Sequence, residues 1–190
     1  SAIVLDPNAL LSDPELDLFG ASGNWNGAIL TLQRDGGANA NDVFGFTGSG
    51  DSGVNVSSGN LRIGTTVVGT FTNTGGTLTI TFNTAATAAR VDTVLQAITY
   101  RNTDANPDAA VTINYTIDDQ NPNVGGSGTA GSGQDQGTGG KLTGTGSITI
   151  GINRQVVAEP DSNSIDEATS AGDPTTVTGD LTPGPTNSND

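Results

Sequence analysis

The sequence predicts an all-β chain, an antiparallel β-sandwich carrying one short helix. Three observations carry that expectation. Short segments alternate apolar residues with Thr, Asn or Gly; Gly, Asn and Asp bound nearly all of them; and a single segment shows helical spacing instead.

The expected strands are 2–5 (AIVL), 28–32 (AILTL), 43–46 (VFGF), 66–71 (TVVGTF), 77–82 (TLTITF), 111–117 (VTINYTI) and 147–152 (SITIGI). In TLTITF, Leu78, Ile80 and Phe82 share one face and Thr77, Thr79 and Thr81 the other. In VTINYTI, Val111, Ile113, Tyr115 and Ile117 share a face in the same way. Strands with one wet face belong to antiparallel sheets, not to a parallel sheet buried on both sides. The expected inward residues are Leu30, Leu32, Phe44, Phe46, Phe71, Leu78, Ile80, Phe82, Ile113, Tyr115 and Ile117.

The exception is 84–98 (TAATAARVDTVLQAI), where Val91, Val94, Leu95 and Ile98 recur at helical spacing after Ala-rich residues. A helix from about 87 to 97 should lead straight into a strand at 98–100 and cover one open end of the sandwich. The Gly-rich run 124–140 reads as a long loop between the last two strands. It lacks the following helix and Ser/Thr of a phosphate-binding loop. From 154 the composition turns acidic, with four Pro, seven Asp or Glu and no aromatic residue. Such a stretch cannot close a core alone. The boundary is placed near Asn153, giving a module at 1–153 and, at 154–190, a linker or the first part of a further module.

Composition removes whole classes of function. The chain has no Cys and no His, which excludes zinc fingers, iron–sulfur clusters, thiol nucleophiles, disulfides and Ser-His-Asp catalysis. Six basic against 20 acidic residues leave a charge of −14, which repels nucleic acid and anionic membranes. No apolar run reaches the ~20 residues of a membrane span. One Trp and two Tyr supply little for the aromatic platforms of a sugar cleft, so Trp25 is read as a core or rim anchor and the chain as non-enzymatic.

The acidic residues gather at expected loops and strand ends. Asp13, Glu15 and Asp17 lie in LSDPELDL, Asp42 in GANANDVF, Asp104 and Asp108 in RNTDANPDA, and Asp118 and Asp119 close VTINYTIDD. Ca²⁺ takes six to eight oxygen ligands of this kind, and the chain has no basic residue to spare for neutralising them otherwise. The alternative is that they are solvated turn residues, a role Asp and Asn favour in their own right.

The segments LSDPELD, GTLTITF (76–82), ATAARVDTVLQAITY (86–100) and INYTIDD (113–119) together resemble the cadherin-like, immunoglobulin-type repeat of giant bacterial surface proteins and repeats-in-toxin adhesins. The tail SIDEATSAGDPTTVTGDL is similar to the opening of the surface repeat named for Vibrio, Colwellia, Bradyrhizobium and Shewanella, apart from its Pro-rich TPGP. The resemblance implies an immunoglobulin/cadherin-like sandwich and an extracellular structural or adhesive module at the cell surface. It also implies bound Ca²⁺ with Asp13, Glu15, Asp17, Asp104, Asp118 and Asp119 as ligands. Its partners would be neighbouring domains, identical subunits or a surface or matrix ligand. A second expectation is a filament or surface-layer subunit in which the tail 154–190 adds a strand to a neighbour.

Overall fold

The computed structural model describes residues 1–13, 16–17, 21–48, 53–120 and 141–152. The tail 154–190, the boundary near Asn153, the run 124–140 and Glu15 lie outside the described residues. The elements are β1 (Ile3–Val4), β2 (Ile29–Arg34), β3 (Asp42–Phe46), β4 (Val54–Ser57), β5 (Asn60–Ile63), β6 (Thr66–Thr74), β7 (Thr77–Phe82), α1 (Ala88–Ala97), β8 (Ile98–Asn102), β9 (Ala110–Asp118) and β10 (Thr143–Gly151).

These strands form two antiparallel sheets. The smaller runs β1-β8-β3 and the larger β10-β9-β2-β7-β6-β5-β4. Register follows the sequence alternation: on β2, Leu30 faces Ile80 on one side and Ile117 on the other, and Leu32 faces Leu78 and Tyr115. The apolar sets of three adjacent strands therefore fall on one face. Leu30, Leu32, Phe44, Leu78, Ile80, Phe82 and Ile113 are buried as expected, with Trp25, Val68 and Tyr100 beside them. Phe46, Phe71 and Ile117 pack at the margin of the core, half-buried.

Tyr115 departs from the expectation, because it stays 37% exposed. The smaller sheet has three strands and the larger seven, so part of the larger sheet's inner face has no facing strand. Tyr115 lies there, with its ring over Gly146 directly opposite on β10; a Cβ at that glycine would collide with the ring.

Two strands went unread in the sequence. β4 and β5 pair as a hairpin through Ser58 and Gly59, both at positive φ (50° and 77°). Left-handed residues at both central positions match the right-handed twist of the flanking strands.

The helix forms where the spacing places it. Thr87 caps its first turn, its side chain accepting from the Arg90 N–H at 3.4 Å, and Val91 and Val94 are fully buried. The next residue after Ala97 is already extended at Ile98, so β8 starts with no intervening loop. Leu95 is half-buried against the core. Leu95→Ala should cost about 2 kcal/mol, the low end for such truncations. Thr93→Ala, which trades one hydrogen bond to the Ala89 carbonyl for better helix propensity, should be nearly neutral. Urea denaturation of the two variants checks this; equal and small losses would make the helix a loose strap.

The register also fixes where the chain enters and leaves this sandwich. Ile3 on β1 faces Tyr100 near the end of β8, whose last residue, Asn102, pairs with Asp42. At the end of β10, Gly151 faces Ala110, and the Ile152 N–H donates to the Ala109 carbonyl. Ile113, three residues further along β9, faces Arg34. Since Arg34 bonds Asp42, β1 starts and β10 finishes at the same end of the sandwich. No helix among the described residues is long and apolar enough to cross a membrane.

Candidate functional site

The acidic residues singled out in the sequence fall into separate places, and protein donors occupy most of them. Asp13 and Asp17 do come together. Asp13 Oδ1 accepts the Leu16 N–H at 2.9 Å, the Asp13 N–H donates to Asp17 Oδ2 at 3.0 Å, and the Trp25 indole N–H donates to Asp17 Oδ1 at 3.0 Å. The Asp17 N–H returns to the Asp13 carbonyl at 2.8 Å. Two short acids thus close a turn around the fully buried Leu16 and satisfy the one polar atom of a buried Trp. With Trp25 only 1% exposed, its ring offers no platform to a sugar.

Asp118 and Asp119 sit at the other side of the same logic. Asp118 Oδ2 pairs with Lys141 Nζ at 2.7 Å and its Oδ1 accepts the Gln120 N–H at 3.0 Å. Burial pushes the Asp118 pKa up, but Lys141 and the Gln120 N–H outweigh it and hold the carboxyl below its ordinary value. Asp119, buried, accepts the Leu142 N–H at 3.0 Å and donates its own N–H to the Leu142 carbonyl at 3.2 Å. The pair therefore closes the base of the connection 121–140, where β9 gives way to β10. Asp104 is exposed; it accepts from Asn41 Nδ2 at 3.2 Å and from the Asn106 N–H at 2.9 Å, which makes it a turn residue between β8 and β9.

Among the described residues, no three acidic side chains converge into a group that could hold a metal ion. Asp13 with Asp17, and Asp118 with Asp119, are the pairs brought together; Asp104 stands apart from both. A calcium ion at either pair would have to compete with the donors just named.

The charged centre is Asp42, which the sequence shows only as one more acid at an expected loop. Its side chain is fully buried at the start of β3, and Arg34 at the end of β2 grips it with two parallel bonds, Nε to Oδ2 at 2.8 Å and Nη2 to Oδ1 at 2.7 Å. The Tyr100 hydroxyl and Asn102 Nδ2, both from β8, donate to the same Oδ1 at 2.7 and 2.9 Å. Arg34 Nη1 reaches on to the exposed Asp108 at 3.1 Å. The sequence reading held that no basic residue was available to neutralise the acids, and Arg34 corrects it. Burial alone would raise the Asp42 pKa, but donors from Arg34, Tyr100 and Asn102 together hold it below the usual carboxylate value. Arg34 comes from the larger sheet and Asp42 from the smaller, so the network ties the two layers. A bidentate Arg–carboxylate pair of this kind is a lock with fixed geometry.

An apolar groove of about 260 Å³ lies between the segment 5–11 and the uncovered inner face of β2, β9 and β10. Asp92 accepts the Leu11 N–H and Gln96 donates to the Ala9 carbonyl, both at 3.0 Å, so α1 holds that segment in place. Leu10, Tyr115 and Ile148 line the groove, and Leu10 is 76% exposed.

Comparison with family models, with curated proteins and with solved structures gives no match. The residues therefore have to carry the functional reading themselves.

Proposed function

We propose that this chain is an extracellular structural or adhesive module of a larger bacterial surface protein, of the cadherin-like kind its motifs resemble. The observation that carries the reading is the connectivity of the sandwich. β1 starts and β10 finishes at the end closed by the Arg34–Asp42 lock. A sandwich attached at one end presents the opposite end, with the Asp13–Asp17 turn and the start of α1, away from its attachment. The acidic surface suits this role, since a charge of −14 keeps a crowded display soluble and apart.

Two measurements test it. Protease treatment of intact source cells should remove the chain, and protection from protease would place it inside and end the reading. Beads coated with the full chain should retain source cells or their matrix beyond beads coated with an unrelated acidic β-sandwich. Equal retention would leave a structural role without adhesion.

Calcium belongs to this proposal as a stabiliser. Binding to the folded state alone would add about 2.7 kcal/mol at a free concentration a hundred times Kd. The melting temperature in millimolar CaCl₂ should then exceed that in NaCl of matched ionic strength, with MgCl₂ a poor substitute. Identical melts in chelator and in calcium would remove the ion and leave the Asp13, Asp17, Asp104, Asp118 and Asp119 contacts as the whole role of those residues.

A further inference from the structure

β10 is the last strand of the seven-stranded sheet, and among the described residues nothing pairs with its outer side. Edge strands are ordinarily blunted by shortness, charge, proline or a bulge. The opposite edge, β4, is four residues long, and its hairpin partner β5 carries a register shift against β6. β10 has none of these devices. It runs nine residues (TGTGSITIG) without a charge or a proline, in unbroken register with β9. In a chain of net charge −14, the nine residues of this edge carry no charge of their own to repel a second copy.

We propose that β10 pairs with β10 of a second copy, antiparallel about a two-fold axis at Ser147, joining two seven-stranded sheets into one. Three features fit that pairing. The first is hydrogen-bond direction. The Asp119 N–H donates to the Leu142 carbonyl and the Ile152 N–H to the Ala109 carbonyl. Backbone groups alternate along an antiparallel strand, so positions 143, 145, 147, 149 and 151 aim their N–H and C=O away from β9. With Ser147 facing Ser147, these positions pair only with one another: 145 with 149 and 143 with 151.

The second is side-chain fit. On the inner face the strand reads Gly144, Gly146, Ile148, Ile150. The two-fold places Gly144 against Ile150 and Gly146 against Ile148 of the second copy, so each large residue faces a bare one. The third is the groove itself. Gly144 and Ile148 line it with the half-exposed Tyr115, whose ring already reaches across Gly146. Ile148 of the second copy would land on that ring and cover apolar surface that the smaller sheet leaves open. This inference goes beyond the display module above and does not depend on it.

The full chain should show concentration-dependent dimerisation by sedimentation velocity. The sequence has no Cys, so a nitroxide on Ser147→Cys or Thr143→Cys reports one position only. Labels at 147 should broaden each other strongly, since hydrogen-bonded partners lie ~5.5 Å apart between Cα atoms. Labels at 143 should not, being eight residues apart along the pair, ~27 Å. Ser147→Pro removes an outward N–H that no described residue accepts, and Ser147→Lys sets two like charges face to face. Each should weaken association at least tenfold while keeping the wild-type circular dichroism. A monomer at every concentration, association unchanged by both substitutions, or equal broadening at 143 and 147 would overturn the proposal. Each of those outcomes leaves the display module standing, because that reading rests on connectivity and not on the free edge.

Discussion

Asp42→Asn should cost about 3 kcal/mol at neutral pH, at the lower end of the ~3–5 kcal/mol typical of breaking a buried ion pair. The substitution keeps the shape of the side chain but leaves the Arg34 guanidinium, 15% exposed, without its buried counter-charge. Asp108 still reaches Nη1, which is why the loss stays at the low end. Replacing both partners, Arg34→Met with Asp42→Asn, should recover part of the loss, because no buried charge is then left unpaired. Urea denaturation of the two single variants and the double closes the cycle. Additive losses would mean that the two side chains do not act as a pair.

The same variant carries a pH signature. Asp42 is held below its ordinary pKa in the folded protein. The stability it contributes is therefore complete above the unfolded carboxylate value of ~3.9 and fades as the pH falls through the lower folded value. Wild type should lose stability down that window, and Asp42→Asn should not lose that portion, so the gap between them closes in acid. Asp118 shifts in the same direction through Lys141 and should steepen the acid limb of both proteins equally. Its pair with a half-exposed Lys is worth no more than ~1 kcal/mol. Tyr100 works on the other side of neutrality. Burial and the neighbouring Asp42 raise its pKa, so its contribution is complete below pH ~10 and is lost as the pH rises through the higher folded value. A gap that widened in acid would mean Asp42 is protonated in the native network.

How much of this could be read in advance depended on how local each cause was. Leu78, Ile80 and Phe82 declared their face because Thr alternates with them, and Val91 with Val94 declared a helix by spacing alone. The β4–β5 hairpin was equally local. VNVS-SG-NLRI has a Ser-Gly turn between two short alternating runs, and that signal went unused. Tyr115 was different in kind. Its alternation is correct, yet whether an inward residue is covered depends on how many strands the facing sheet has. Asp42 was harder still. Its partners sit eight, 58 and 60 positions away on two other strands, and only register brings Arg34, Tyr100 and Asn102 to one carboxylate. Asp13 with Asp17, and Asp118 with Asp119, are neighbours in the sequence, but a cluster in sequence does not say whether its oxygens face an ion or the backbone beside them.

Gly76→Ala should cost about 2–5 kcal/mol, from a left-handed backbone penalty of ~1–2 and an overpacking term of ~1–3. Gly76 turns the β6–β7 hairpin at φ +86°, and a Cβ there would fall onto the backbone of Asn39. Its neighbour Gly75 has φ +62° and open space around it. Gly75→Asn should thus be tolerated at a few tenths of a kcal/mol, since Asn adopts the left-handed region with little strain. The backbone that Gly76 touches is not neutral ground. The Asn39 carbonyl accepts the Asp42 N–H at 2.9 Å, and on β6 the Asn73 side chain donates to the Phe44 carbonyl at 2.6 Å. The hairpin tip of the larger sheet is therefore braced against the loop and strand that carry Asp42. Displacing Asn39 should loosen the grip of Arg34 as well, so Gly76→Ala combined with Asp42→Asn should cost less than the sum of the two. Strictly additive losses would mean that the tip and the lock hold the sheets independently. A sub-additive result would make them one brace, built where the chain enters and leaves the sandwich.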